Sequence, residues 1–363
     1  MAHTIAAGAG RRRERDVAQQ GGFWNGGDLI RNALAGVRVI DISVNAPGPF
    51  TSMMLADLGA EVISIVNPAQ AAPAYAGAAD DHMLAGRGGS YDALARGKSK
   101  RPLNLKSQQG LEAILDSVRQ ADVLISEMRP GKLDSLGIGW DTLHAVSPRL
   151  ILCEITGYGR SVPHRARAGH DINYLALSGA LSLIRDTHGK PVVPQNLIGD
   201  YAAGGTIAVS VILAALIERG RTGLGQRITL SMTDGIRYLM SDIAATTLLA
   251  GHPEESWRAT LNGGMPTYDT YQTADGGWIA VGALEPKFIA TLAEKLAWPQ
   301  LVDLMARKDG GDDARRGLQD RFATRSREAW TRLFEHCDAC VTPVLSLDET
   351  RLKGIPSIDE VLA

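Results

Sequence analysis

Cysteine is scarce in this chain: Cys153, Cys337 and Cys340 are the only 3 among 363 residues. That is too few for a disulfide framework, and it points to a reducing cytoplasm. Cys337 and Cys340 form a lone "CDAC" pair. A structural zinc site needs four ligands, and no second such pair or spaced histidine pair follows, so no metal site is expected. A thioredoxin-type pair would open a helix early in a small domain. This one follows the helical-looking "REAWTRLFEH" and reads as structural. Charge of one sign is also lacking, since 38 Lys+Arg stand against 40 Asp+Glu for a net charge of -2. A strongly basic nucleic-acid surface is therefore not expected. No run approaches the ~20 consecutive apolar residues of a membrane span, so no membrane partner is expected. The opening "MAHTIAAGAGRRRERDVAQQGG" puts its basic run after a weak apolar stretch, the reverse of a secretory signal. Residues 1–34 read as a flexible N-terminal extension.

What is present alternates. "VRVIDIS" (37–43) and "EVISIV" (61–66) read as strands around a helix in "PFTSMMLADLGA" (49–60). A Pro/Gly/Ala-rich loop follows. A strand at 101–106, a helix at 107–121, and strands at 122–127 and 149–159 continue the pattern. Alternation of this kind predicts an α/β fold with a parallel sheet. The glycine pattern of dinucleotide sites is missing, because "VNAPGPF" follows the first strand where G-x-G-x-x-G would stand. After residue 170 helices dominate. "HDINYLALSGALSLI" reads as one helix, and 200–223 as a long apolar helix buried against another chain or domain. "TYDTYQTADGGWIAVGA" (267–283) is a hairpin signature that begins a second, smaller α+β domain.

Eight ordered stretches then carry a resemblance covering about residues 35–346. They are "LAGVRVIDIS…APGPFTSMMLADLGAEVISI", "RGKSKRPLNLKSQQG", "DVLISEMRPGKLDSLGIG", "AGHDINYLALSGALS", "PQNLIGDYAAGG", "RTGLGQRITLSMTDG", "GGMPTYDTYQTADGGWIAVGALEPKF" and "DACVTPVLSLDE". Together they resemble the family III CoA-transferases (CaiB/BaiF) with the alpha-methylacyl-CoA racemases. The resemblance implies a Rossmann-like large CoA-binding domain at 35–232, a small domain at 233–329, and a return to the large domain at 330–363. It also implies an interlocked homodimer, so the expected partners are an acyl-CoA substrate and a second copy of the chain. No resident cofactor is required, since CoA is part of the substrate.

The same resemblance implies site residues. Asp200 is the shared carboxylate, a nucleophile in the transferases and an acid/base in the racemases. His170 and Glu285 match the racemase branch, and Asn196 matches a supporting position. Leu103, Asn104, Leu105, Lys106 and Arg129 fall at CoA-contacting positions, as do Gly169, Asp171 and Tyr174. Lys98, Lys100 and Arg101 add nearby charge. The chain departs from the pattern at Asn67, where racemases carry arginine before proline, and in the unusually basic "GRSVPHRARAGHD".

Elementary chemistry agrees with the racemase reading. Inverting a carbon alpha to a thioester needs two proton carriers on opposite faces, each titrating near working pH. Histidine is already near that range, and a buried aspartate can be raised toward it. Glu285 would orient the imidazole. The resemblance implies that Asp171 lends its backbone N–H to an enolate oxygen, as the free donors of a helix start allow, and its side chain is expected to cap that start. Met232, Met240 and Met265 point either to an adaptable apolar wall or to ordinary core packing. The alternatives are CoA transfer through Asp200 and a non-catalytic acyl-CoA-binding homologue.

Overall fold

Short runs of Val, Ile and Leu fold as strands buried on both faces when helices cover both sides of a parallel sheet. The computed structural model, which describes residues 32–68, 94–160, 163–186, 188–250, 260–307 and 309–352, shows this arrangement. The strands are β1 (Arg38–Asp41), β2 (Glu61–Val66), β3 (Lys98–Pro102), β4 (Val123–Ser126), β5 (Ile151–Thr156) and β6 (Arg227–Ser231). All neighbours are parallel, in the order β3-β2-β1-β4-β5-β6. Every residue of β4 and β5 is buried. The chain leaves β1 in one direction across the sheet and returns at β4 in the other. In open parallel sheets, ligands lie outside the carboxyl ends of the strands at such a reversal.

The helices of this unit are α1 (Pro47–Asp57), α2 (Gln108–Val118), α3 (Lys132–Ser135), α4 (Trp140–Val146), α5 (Asp171–Ser178), α6 (Ile207–Thr222) and α7 (Met232–Leu239). Proline at the first turn of α1 and the Ser107 hydroxyl accepting the Gly110 N–H at α2 set two of the starts. The core joins Ile40, Leu124 and Leu152 of the sheet to Ile114 and Val118 of α2 and Leu143 of α4. Each such side chain contributes roughly 1.5–3 kcal/mol of burial.

The chain divides into two units. Among the described residues, the first runs to Ala180 and resumes at Val193–Asp242; the second takes Leu181–Val192 and the chain from Ile243. Helix α8 (Ser241–Ala250) follows α7. The second unit has an antiparallel sheet of β7 (Tyr268–Gln272), β8 (Trp278–Gly282) and β9 (Val341–Pro343). Helices α9 (Pro286–Lys295), α10 (Gln300–Ala306), α11 (Gly311–Phe322), α12 (Arg327–Phe334) and α13 (Leu347–Leu352) accompany it. Its core centres on Tyr271, Leu292, Phe322 and Trp330, with Tyr271 stacked 5.5 Å from Phe322.

Four boundaries differ from the sequence reading. The strand expected at 101–106 is β3 at Lys98–Pro102, an exposed polar edge strand. Edge strands need no apolar alternation and tolerate a terminal proline; Leu103 and Leu105 instead pack on the first core. The helix expected from 170 stops at Ser178, because Gly179 turns left-handed at φ 93. The helix expected over 200–223 begins as a π-helical segment, Leu197–Thr206, and becomes α only at α6. Glycines cause the close packing there: a Cβ on Gly204 would meet Pro47 at 2.8 Å, and one on Gly205 would meet Phe50 at 2.5 Å. Finally, β9 lies within the stretch read as returning to the large domain, yet pairs with β8 in the small sheet. Three residues carry too little pattern to assign to a sheet without the partner strand.

The N-terminal extension falls almost wholly outside the described residues, as do the Pro/Gly/Ala-rich loop and the chain from 353. The joined segment Leu197–Thr222 is long and apolar enough to cross a membrane by length and composition, with hydropathy 1.7. One face of it is buried, through Ala208, Val209, Ile212 and Ala215. Ile217 on the opposite face is 69% exposed.

A buried ion pair ties the edge strand to the centre. The Lys98 ammonium lies 3.4 Å from Asp41 Oδ2, and both side chains are 2% exposed. It also donates to the Pro49 carbonyl at 2.7 Å and to Ser52 Oγ at 2.5 Å. Burial lowers the Lys98 pKa against the opposing pull of Asp41. Removing one partner strands the other charge in the core. Lys98→Ala is expected to lose about 3–5 kcal/mol of stability in urea unfolding. Lys98→Met with Asp41→Asn should recover most of it.

Candidate active site

The carboxyl ends of β1, β4 and β5 open into a cavity of about 800 Å³. Three pieces of chain wall it: the loop and first turn at Asn45–Pro47, the Glu127–Pro130 stretch, and the segment from Arg165 through α5. The π-helical start at Asn196–Asp200 closes the set. Sequence-predicted residues Gly169, His170, Asp171, Tyr174, Asn196, Asp200 and Arg129 all line it.

His170 is the N-cap of α5 and is exposed. Its backbone N–H donates to Asn173 Oδ1 at 3.1 Å. The N–H groups of Asp171 and Ile172 follow in the first turn, where donors lack intrahelical acceptors. Two buried tyrosines shape the turn. The Tyr174 hydroxyl donates to the Gly169 carbonyl at 2.5 Å, and its ring meets that of Tyr158 edge-on at 5.2 Å. A Cβ at 169 would stand 2.3 Å from the Tyr158 hydroxyl, so glycine is required there. The hydroxyl of Tyr174 is thus occupied by the turn it supports.

Asp171 corrects the sequence reading. The cap of α5 is His170, and the Asp171 carboxylate turns instead to the other helix start. Its Oδ1 accepts the N–H of Gly199 at 2.7 Å and that of Asp200 at 2.8 Å. One buried oxygen therefore caps the π-helical segment and joins the two stretches that carry His170 and Asp200. A Cβ at 199 would lie 2.5 Å from that oxygen, so Gly199 makes the approach sterically feasible. Adjacent sequence suggested a local cap; the acceptor's real partners lie 28 and 29 residues away.

Asp200 is half-buried, and Asn196 Nδ2 donates to its Oδ2 at 2.9 Å. Burial pushes the Asp200 pKa up, and the negative charge of Asp171 adds to that. The Asn196 hydrogen bond and His170 pull it back. Burial likewise raises Asp171 against its two N–H donors.

Glu127 is the residue the sequence reading missed. Its carboxylate accepts the N–H groups of Val44 at 3.1 Å, Asn45 at 2.7 Å and Gly48 at 2.6 Å. It thereby fixes the β1–α1 loop across the sheet reversal. Burial pushes its pKa up to about 7 despite those donors. The signal available in sequence was a carboxylate directly after the buried strand "VLIS", close to the arginine that drew attention.

Other expectations fall elsewhere. Leu103–Lys106 follows β3, where Asn104 supports the cap of α2: its carbonyl accepts Ser107 Oγ–H at 2.8 Å. Lys98 is consumed by Asp41 and supplies no free charge. Arg101 donates to Ser117 Oγ at 2.8 Å. Met232 lines the cavity, whereas Met265 packs on the second unit's core. Glu285 belongs to the second unit as the exposed N-cap of α9, its carbonyl accepting the Phe288 N–H at 2.9 Å. Among the described residues no group of three or more His, Cys, Asp or Glu could hold a metal ion. The described cysteines are free thiols.

The family model of CoA-transferase family III matches residues 34–354. The chain belongs to that family. It is 38% identical to the alpha-methylacyl-CoA racemase of Mus musculus over 318 residues, covering 87% of this chain and 78% of that protein. It is 31% identical to the human succinyl-CoA:glutarate CoA-transferase, covering 92% of this chain and 78% of that protein. The crystal structure of Rv3272 from M. tuberculosis superposes with a TM-score of 0.71 at 26% identity, covering 87% of this chain and 83% of that one. Members of this family thus include both racemases and transferases, and the cavity residues must distinguish them.

Two outcomes follow from the geometry. Asp171→Ala removes the one acceptor of both N–H groups and should lower kcat by about ten- to a hundredfold, on 1–3 kcal/mol for the lost bonds. Asp171→Asn keeps Oδ1 and should stay within about threefold. Steady-state kinetics on an acyl-CoA substrate decides. Glu127 accepts best when ionised, so its hold on the loop is full above pH 7 and weakens as pH falls through about 7. KM for the thioester should therefore rise below neutrality in the wild type. Glu127→Gln should show the raised KM at every pH.

Proposed function

We propose that this protein is a racemase or epimerase of 2-methylacyl-CoA thioesters, acting by two-base 1,1-proton transfer. The observation that carries this reading is the clamp by Asp171, which ties the His170 turn to the Asp200 helix start beside one cavity. From one epimer, the neutral imidazole of His170 takes the C2 proton and the thioester becomes an enolate. The protonated carboxyl of Asp200 returns a proton to the opposite face. The other epimer reacts with the roles exchanged. Proton count and charge balance in both directions.

The environment supports these roles. Burial raises the Asp200 carboxyl, which shifts it toward its acid form. The backbone N–H of Asp171 sits at a helix start, where developing negative charge is stabilised. Asn196 donates to Asp200 and holds its orientation. In this proposal Arg129 and Leu103–Lys106 bind CoA, which is part of the substrate, so the protein needs no resident cofactor. Glu285 stabilises the charged imidazole within an interlocked homodimer, and the enzyme works in the cytoplasm.

Incubating either epimer in heavy water should give deuterium at C2 and loss of optical purity. His170→Ala and Asp200→Asn should each reduce racemisation by at least about a hundredfold. Each variant should still exchange the C2 proton of one epimer, a different epimer in each case. Absence of exchange in the wild type across a panel of acyl chains would sink the proposal. The similarity to a succinyl-CoA:glutarate CoA-transferase favours a second reading, in which Asp200 attacks the thioester carbonyl and CoA leaves as the thiolate. Hydroxylamine trapping of an acyl-Asp200 anhydride during turnover would establish that reading instead.

A further inference from the structure

The cavity wall carries guanidinium groups that no carboxylate among the described residues pairs. Among the described residues, the side chains of Arg129, Arg165, Arg167 and Arg221 are exposed and show no hydrogen bond, ion pair or ring contact within the protein. The first three line this one cavity. Its carboxylates are already engaged: Glu127 by the Val44, Asn45 and Gly48 N–H groups, Asp171 by Gly199 and Asp200, and Asp200 by Asn196. A guanidinium stays charged at any working pH and carries five donors in a fixed fork that matches carboxylate oxygens. Three such groups, exposed on the wall of one cavity, are placed to take an anion that a ligand carries.

Position separates their roles. Arg129 follows β4, whereas Arg165 and Arg167 stand on the loop between β5 and α5. Arg167 is three residues before His170, so their Cα atoms are at most about 11 Å apart. The stretch proposed for the adenosine end of CoA follows β3, four strand positions from β5 in the sheet order. At ~4.8 Å per strand that is roughly 19 Å. Arg167 therefore stands on the reacting side of the cavity, away from the nucleotide end, and Arg165, two residues before it, lines the same cavity. Large aliphatic side chains are few in the lining, namely Ile155, Ile172, Val193 and Met232.

We propose that Arg165 and Arg167 form a subsite for a carboxylate carried on the acyl chain, so that the preferred substrates are thioesters of branched dicarboxylic acids. This rests on the proposed function for the placing of the thioester. The subsite itself needs only binding, not turnover.

The test uses two 2-methylacyl-CoA thioesters of equal length, one ending in a carboxylate and one in a methyl group. Deuterium exchange at C2 gives kcat/KM for each. The corresponding non-reactive CoA thioethers give affinities by calorimetry. Wild-type protein should prefer the carboxylate-ended member of both pairs by at least about tenfold, and added salt should weaken that preference. In Arg165→Gln/Arg167→Gln, with melting temperature as the folding control, the preference should fall to about one. A wild-type preference near one in the thioether pair overturns the proposal. So does a double variant that weakens both thioethers by the same factor, because the arginines would then serve the CoA phosphates. If neither thioester exchanges in the wild type, the racemase reading fails. The thioether affinities still decide the subsite.

Discussion

One buried carboxylate oxygen organises the chemistry of this fold. Asp171 Oδ1 accepts the Gly199 and Asp200 N–H groups, so the start of α5 and the start of the π-helical segment become one object. His170 is the residue before the clamp and Asp200 is one of its donors. The backbone of Asp200 is therefore tied directly to the turn that carries His170. The glycines around it serve the same contact: Gly199 admits the carboxylate, and Gly169 lets the two tyrosines close beneath the turn. A π-helical stretch is uncommon and recurs at functional sites. Here it places Asp200 four residues past Asn196, within hydrogen-bond distance of that side chain.

Electrostatics follows from who satisfies whom. Glu127 and Asp171 sit at helix starts and take backbone N–H groups, as the dipole favours. Burial nonetheless raises both, and it raises Asp200 as well. Desolvation outweighs the hydrogen bonds in each case, which puts protonatable groups in a cavity at the sheet reversal. Elsewhere the buried charge is structural: Lys98 and Asp41 neutralise each other beneath α1, and no ligand is needed to complete them.

Much of the architecture was legible because periodicity reports burial. β4 and β5 are mostly apolar runs, and both are buried throughout. The "ADGG" hairpin and the Gly-ended first helix carry their own turn chemistry. Errors came where pattern and environment separate. β3 is a polar edge strand, so no apolar alternation marked it. Gly179 looked tolerable inside a helix, yet its left-handed backbone ends α5. β9 has too few residues to declare a partner.

Residue types and their order determined by themselves that the chain alternates strand and helix and that it carries the family's motifs; the resemblance those motifs carry singled out His170, Asp200 and Arg129, which the fold places on one cavity. These are local signals, written in spacing and in motif. Tertiary structure alone decided what Asp171 and Glu127 do. A carboxylate's role is set by the donors that reach it, and those donors lie 28 and 29 residues away for Asp171 and 79 to 83 away for Glu127. Only folding brings them within 3.1 Å, and only burial then raises the proton affinity of the carboxyls they hold.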